Sequence, residues 1–351
     1  MSTGYSQMDQ KSLEYQPMKM LSQVMLVVGI LAIFGITSCS QTQGAAEGER
    51  DPWDMFVQNP DDGQIPGVIP RNVQGSIRIS GSSTAAPLVT SFSQEFTRLG
   101  FSGMISLESI GSAGAARTWI PGQTSDLLIT TYPLNQEQLE ELATQDMELT
   151  RFTIALDGLG IPVHPDNNWA QSVSKEELSQ LFLEAQTWSD VRPSWPEIPV
   201  VRVSPGTDSG TFLSFDSQVL RGDRSLSSVP NTRFSENDDL LVQLLRVHPG
   251  SIGYLGYSIL NQSLVDLPLI RIDGIELSRE SVTSGRYALI RELLVYVPTR
   301  DLSSNPALAG FISFLVNAQP QALLARGFFP LSLEVQQRNY LEWNRVFHGR
   351  F

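Results

Sequence analysis

One pattern constrains the fold of this chain more than any other: a short apolar strand, then a cluster of glycine, serine and threonine, then a helical stretch, met three times. Ser76-Ile77-Arg78-Ile79-Ser80 alternates as a strand and leads into Gly81-Ser82-Ser83-Thr84-Ala85-Ala86-Pro87, after which Leu88, Phe92 and Phe96 recur at helical spacing. Met104-Ile105-Ser106-Leu107-Glu108-Ser109-Ile110 runs into Gly111-Ser112-Ala113-Gly114-Ala115. Val200-Val201-Arg202-Val203 runs into Gly206-Thr207-Asp208-Ser209-Gly210-Thr211-Phe212. Further strands are expected over 126–130, 150–155 and 291–297, and a largely apolar helix over 307–316. Ser174-Lys175-Glu176-Glu177 has the spacing of a capping box ahead of Leu178, Leu181 and Phe182. Strands alternating with helices predict an α/β fold with a largely parallel sheet.

The three loops share a chemistry. The first turn of a helix has N–H groups without intrahelical partners, and the helix dipole favours negative charge there. Glycine lets the backbone come close to a ligand, and serine and threonine add hydroxyl donors. Several such loops at equivalent strand ends make a cradle for an oxyanion that needs neither metal nor cofactor. None is a nucleotide-type phosphate loop, because no Gly-Lys-Ser or Gly-Lys-Thr occurs. His164, His248 and His348 are scattered and match no metal-ligand spacing.

Charge narrows the partners. With 24 Lys and Arg against 37 Asp and Glu, the 351-residue chain carries a formal charge of -13 and has no basic run to serve as a nucleic-acid footprint. The 41% hydrophobic content is that of a globular protein with a substantial core.

The N-terminus reads as an export signal. Lys11 and Lys19 precede the apolar run Val24-Met25-Leu26-Val27-Val28-Gly29-Ile30-Leu31-Ala32-Ile33-Phe34-Gly35-Ile36, which is shorter than the ~20 residues of a spanning helix. Thr37-Ser38-Cys39 follows, and Cys39 is the only cysteine, so no intramolecular disulfide forms. Ile36-Thr37-Ser38-Cys39 resembles a bacterial lipobox, which predicts a lipidated Cys39 as the first mature residue; a non-lipidated signal cleaved nearby, or an uncut anchor, is the alternative. Residues 1–39 are thus a signal peptide, and 40–72, poor in apolar residues and rich in Pro, Gly and acidic residues, are expected to be a flexible tether. The folded part is expected as two domains: 73–160 and 265–351 form a first lobe, interrupted by a second lobe over 161–264.

The strings Ile79-Ser80-Gly81-Ser82-Ser83-Thr84, Gly206-Thr207-Asp208-Ser209-Gly210-Thr211-Phe212 and Ser235-Glu236-Asn237-Asp238-Asp239 resemble the periplasmic phosphate-binding protein of the ABC-type high-affinity phosphate importer, in its cyanobacterial branch. The stretches 250–257 and 291–297 share the resemblance, which covers about 76–330 in the same order. It implies a two-lobed periplasmic-binding-protein-like fold (type II) with the ligand cleft between lobes. It also implies delivery of inorganic phosphate to an ABC-type permease in the inner membrane, with the protein held on the periplasmic side by acylated Cys39 or, failing that, secreted into the periplasm. Carried over residue by residue, the phosphate-binding groups are Ser83, Thr84 and Ala85 in the first loop, Ser112 and Gly114 in the second, and Ser209, Gly210 and Thr211 in the third. By position Asp126 would accept the ligand's own proton, a task for which a carboxylate suits protonated phosphate and repels fully ionised sulfate. Read from residues alone, Asp126 serves equally as a turn residue or a helix cap.

The chain departs from that family at Ala113, where a hydroxyl is usual, at Thr131-Tyr132 in place of a Ser-Arg pair, and at Pro205 in place of an arginine. Arg117 or Arg202 is then the candidate for charge compensation. Two other functions fit the residues: a phosphate-sensing or drifted binding lipoprotein without transport, and a phosphoester hydrolase using Ser209 or Asp208. The second lacks the Gly-x-Ser-x-Gly elbow around Ser209. Asp238 and Asp239 either position the lobes or cap the helix that follows.

Overall fold

The computed structural model describes residues 51, 53–57, 63–222, 225–262 and 267–348. The lipobox reading of Cys39 and the signal over 1–39 lie outside the described residues.

Along the chain, β1 (Phe56–Val57) pairs antiparallel with β2 (Gly67–Val68). Next come β3 (Ser76–Gly81), α1 (Ala86–Arg98), β4 (Met104–Ser109), α2 (Ser112–Gly122), β5 (Leu127–Thr130), α3 (Gln136–Thr144) and the long β6 (Leu149–Gly160). The middle of the chain gives β7 (Ser172–Val173), α4 (Lys175–Leu183), β8 (Val201–Pro205), α5 (Gly210–Phe215), β9 (Thr232–Ser235), α6 (Asp238–Val247), β10 (Ser251–Gly253), β11 (Leu255–Gly256), α7 (Tyr257–Gln262), β12 (Arg271–Ile272) and α8 (Arg279–Thr283). β13 (Ile290–Pro298), α9 (Thr299–Ser304), α10 (Pro306–Val316), α11 (Pro320–Leu324) and α12 (Leu333–Phe347) close it.

Two sheets organise these elements. The larger has the order β11-β6-β13-β5-β3-β4, with β3, β4 and β5 mutually parallel and β13 antiparallel to both β5 and β6. The smaller is fully parallel, in the order β10-β8-β9. The α/β expectation holds, and all three glycine-serine-threonine loops lie at the carboxyl ends of parallel strands: β3, β4 and β8.

Local chemistry explains the helices that flank these loops. In α1 the side chains of Leu88, Val89, Phe92 and Phe96 share one stripe and are buried against Phe311 and Leu308 of α10. Burying each of these apolar side chains contributes about 1.5–3 kcal/mol before chain entropy is counted. The helix stops at Gly100, whose φ of 110° suits only glycine and whose missing Cβ would stand 2.7 Å from that of Arg71. The predicted capping box is present: Ser174 accepts from the Glu177 N–H, and Glu177 accepts from the Ser174 N–H.

The smaller sheet has its own core, in which Phe182, Trp188, Phe215 and Tyr254 are fully buried and the Phe215 and Tyr254 rings stack at 3.8 Å. The boundary expected between 264 and 265 lies outside the described residues, but the described chain beyond it corrects the expected return. Ile270, Ile272, Val282, Tyr287 and Leu289 belong to the core of the smaller sheet, and β12 pairs with β7. The chain rejoins the larger sheet at Ile290.

The tether expectation also needs correcting over its described residues. Met55 and Ile65 are buried in the core of the larger sheet, and Trp53 and Phe56 make edge contacts with Phe347 and Trp343 of α12. Frequent proline and acidic residues concealed a hydrophobic strap that covers the end of α12. No helix among the described residues is long and apolar enough to cross a membrane.

Candidate functional site

The site is built where the loops after β4, β5 and β8 meet one side chain from β13, and the loop after β3 is tied to β5 beside them. In β3–α1, Ser82 donates its N–H to the Ile129 carbonyl, and its hydroxyl accepts from the Ala85 N–H at 3.3 Å. Ala85 is therefore engaged in capping α1, whereas the Ser83 and Thr84 hydroxyls take no partner among the described residues.

In β4–α2, Gly111 adopts a φ of 79° and turns the chain into the helix. Ser112, buried, accepts from the Thr131 N–H at 3.2 Å, and its hydroxyl lies 3.3 Å from that of Thr131. Ser112, Ala113 and Gly114 form the first turn of α2, whose N–H groups face the same end of the sheet.

In β8–α5, Ser209 caps the helix by accepting from the Thr211 N–H at 3.1 Å. Gly210 is pressed against the other sheet: a Cβ there would lie 2.0 Å from Thr131 Oγ1 and 2.8 Å from Ser112 Oγ. Ser214 of α5 donates to the Thr131 carbonyl at 2.9 Å. Thr131, just after β5, is thus one point where the two sheets touch.

Arg291 supplies the cation. It sits at the start of β13 opposite Asp157 of β6, and both side chains are buried, with 2% and 0% of their surface exposed. Its Nε and Nη2 donate to Asp157 Oδ2 at 3.0 and 2.7 Å, and the Tyr257 N–H donates to Oδ1 at 3.1 Å. Nη1 points on to the loops, donating to Thr211 Oγ1 at 2.8 Å and reaching Thr131 Oγ1 at 3.4 Å. Burial pushes the Asp157 carboxyl up from its ordinary range, while the Arg291 guanidinium and the backbone N–H groups of Tyr257 and Ser258 pull it down. Gly256 makes room for the pair, since a Cβ there would stand 2.6 Å from Asp157 Oδ2 and 2.8 Å from Arg291 Nη2.

The structure brings Ser112, Gly210 and Thr211 together around this guanidinium and turns two expected residues away. Asp126 precedes β5, at the opposite end of that strand from Thr131. Its carboxylate accepts from the Arg78 backbone N–H at 2.7 Å and from Arg78 Nη2 at 2.8 Å, so it ties β5 to β3 instead of facing a ligand. Arg202 is buried beneath the smaller sheet and donates to the carbonyls of Ala185, Pro230 and Val200, which leaves its charge remote from the loops. Arg117 does reach across from α2, but to Asp208, with two contacts of 3.2 Å. Asp208 raises the Arg117 pKa further, so that cation is compensated. The cap of α6 is Asn237, which accepts from the Leu240 N–H, and Asp238 and Asp239 follow in its first turn.

Sequence reasoning missed Arg291, Asp157 and Thr131. A signal existed for the first two: one arginine and one aspartate, each embedded in an apolar strand, oppose each other once the strands pair. No three His, Cys, Asp or Glu side chains among the described residues come together to hold a metal.

The arrangement is one of donors. The loops after β4, β5 and β8 bring the hydroxyls of Ser112, Thr131 and Thr211 together beside a buried guanidinium, a geometry suited to a small oxyanion. Comparison with known proteins agrees with it. Residues 67–319 match the model described as a PBP superfamily domain. Protein SphX of Synechocystis sp. is 31% identical over 288 residues, covering 79% of this chain and 84% of that protein. The phosphate-binding protein PstS of Staphylococcus haemolyticus is 27% identical over 266 residues, 74% of this chain and 82% of its own. A crystal structure described as a possible phosphate binding protein from Planctomyces limnophilus aligns with a TM-score of 0.59 at 25% identity, covering 78% of this chain and 99% of that one.

Proposed function

Because the chain belongs to the PBP superfamily, we propose that it binds inorganic phosphate outside the cytoplasm and hands it to an ABC-type permease, as a carrier with no covalent step. The observation that carries this reading is the convergence of Arg291 Nη1 with the hydroxyls of Thr211, Thr131 and Ser112. Relatives described as phosphate-binding proteins support phosphate as the anion. Ser83, Thr84, Gly114, Ser209 and Gly210 complete the ligand shell by their place in the same loops. Lipidation at Cys39 would hold the carrier at the membrane surface, and incorporation of labelled fatty acid into wild type but not Cys39→Ala separates this from free secretion.

Equilibrium dialysis against labelled phosphate tests the reading. Saturable retention at one phosphate per chain supports it; no retention after bound ligand has been stripped removes it. A sensing or drifted lipoprotein is the second reading, favoured by Ala113, Pro205 and the turned-away Asp126. Failure of the protein to restore phosphate uptake in cells lacking their own carrier would select it. The hydrolase reading loses its residues, since the Ser209 hydroxyl caps α5 and Asp208 is paired with Arg117.

A further inference from the structure

The two sheets also meet outside the ligand seat. Among the described residues, the chain passes between them at the end of β6, the start of β11 and the start of β13. Those strands stand side by side at one edge of the larger sheet, in the order β11-β6-β13, and β4 forms the opposite edge. A rotation that parts the sheets about the passing strands therefore moves the loop after β4 the most.

An ion pair bridges the sheets on that side. From α2, which follows the loop after β4, Arg117 reaches Asp208 in the loop between β8 and α5, 91 residues further along the chain. Nη1 donates to Oδ1 and Nη2 to Oδ2, each at 3.2 Å, in the two-pronged geometry that suits a guanidinium and a carboxylate. The backbones approach at the same place, since a Cβ on Gly111 would stand 3.8 Å from the Asp208 carbonyl oxygen.

This pair differs from Arg291 and Asp157 in its surroundings. Its side chains are 59% and 65% exposed, so breaking it leaves no charge stranded in a dry interior. An exposed pair of this kind is weak and screened by salt, which lets it break and re-form as the sheets part and close. Its two bonds are separate from those that link Arg291, Thr211, Thr131 and Ser112.

The geometry points to Arg117 and Asp208 as positioning residues, a salt-sensitive latch between the sheets that holds them closed and sets how fast a bound anion leaves. The inference rests on the oxyanion-carrier reading and adds control of release to it. Both side chains can be neutralised at nearly constant size, as Arg117→Gln and Asp208→Asn, without touching the hydroxyls or the guanidinium of the seat.

The test has two readouts on the full chain. Spin labels at Glu108→Cys on β4 and Gln243→Cys on α6, both exposed, report the separation of the sheets in a Cys39→Ala background that removes the single native thiol. Stopped-flow release of labelled phosphate reports the dissociation rate. Each single neutralisation is expected to lengthen the label distance and to speed release by about two- to fivefold. The double variant should go no further than the singles, because both remove the same bond. Raising salt from ~20 mM to ~500 mM should speed release more in wild type than in the double variant. Label distances or release rates that match wild type in the variants would overturn the latch while leaving phosphate binding intact, as would single effects that multiply in the double variant. Lengthened label distances in a protein that retains no phosphate would support the latch as a closing contact and remove the phosphate reading.

Discussion

Arg291 gives two of its nitrogens to one oxygen of Asp157, at 3.0 and 2.7 Å, and presents the third to the loops through a 2.8 Å bond to Thr211. The aspartate therefore orients the guanidinium and neutralises it in the absence of ligand. A buried pair of this kind adds little net stability, but removing one partner leaves an uncompensated charge in a dry interior. Arg291→Met is expected to lower unfolding stability by about 3–5 kcal/mol in urea denaturation and to abolish phosphate binding. The double variant Arg291→Met, Asp157→Leu should recover most of the stability and none of the binding.

Gly210 is a packing requirement of the seat. Its missing Cβ would lie 2.0 Å from Thr131 Oγ1, so Gly210→Ala forces the loop after β8 away from β5. Phosphate affinity should fall at least about tenfold, equivalent to ~1.4 kcal/mol, as read by titration. The thermal midpoint should move little by comparison, because the displaced loop can shift without emptying a core.

Asp126→Asn separates the sequence expectation from the structure. A carboxylate that read the ligand's proton would be indispensable. One that pairs with half-exposed Arg78 across the start of two strands contributes only about 0–1 kcal/mol to stability. Phosphate affinity measured by calorimetry should stay within about twofold of wild type.

Met55→Ala tests the strap. Met55 is buried in the core of the larger sheet, and truncating a buried methionine costs about 2–5 kcal/mol. A residue in a flexible tether would show no change in a thermal melt.

Much of this fold was legible because its signals are local. The alternation of Ser76 to Ser80 and the spacing of Leu88, Phe92 and Phe96 declare their elements without tertiary information, and the Ser174–Glu177 capping box formed as its spacing required. The loops carrying Ser112, Gly210 and Thr211 were legible for the same reason. The rest depended on distance in sequence. Arg291 and Asp157 are 134 residues apart, and only the register of β13 on β6 makes them a pair. Asp126 was misplaced by one strand length: the end of β5 that meets the loops is Thr131, and the identity of an aspartate says nothing about which end of its strand it occupies. Trp53, Met55 and Phe56 escaped notice because proline and acidic neighbours dominate the composition of their segment, whereas burial is decided side chain by side chain.

The most direct test of the site is a pair of phosphate titrations by calorimetry, on wild type and on Thr211→Val, with circular dichroism confirming that both are folded. Valine keeps the shape of threonine and deletes the oxygen that accepts from Arg291. The account predicts binding in wild type and an affinity lowered at least about tenfold in the variant. Equal affinity in the two proteins would contradict it, because phosphate would then be held somewhere other than the seat formed by Arg291, Thr211, Thr131 and Ser112.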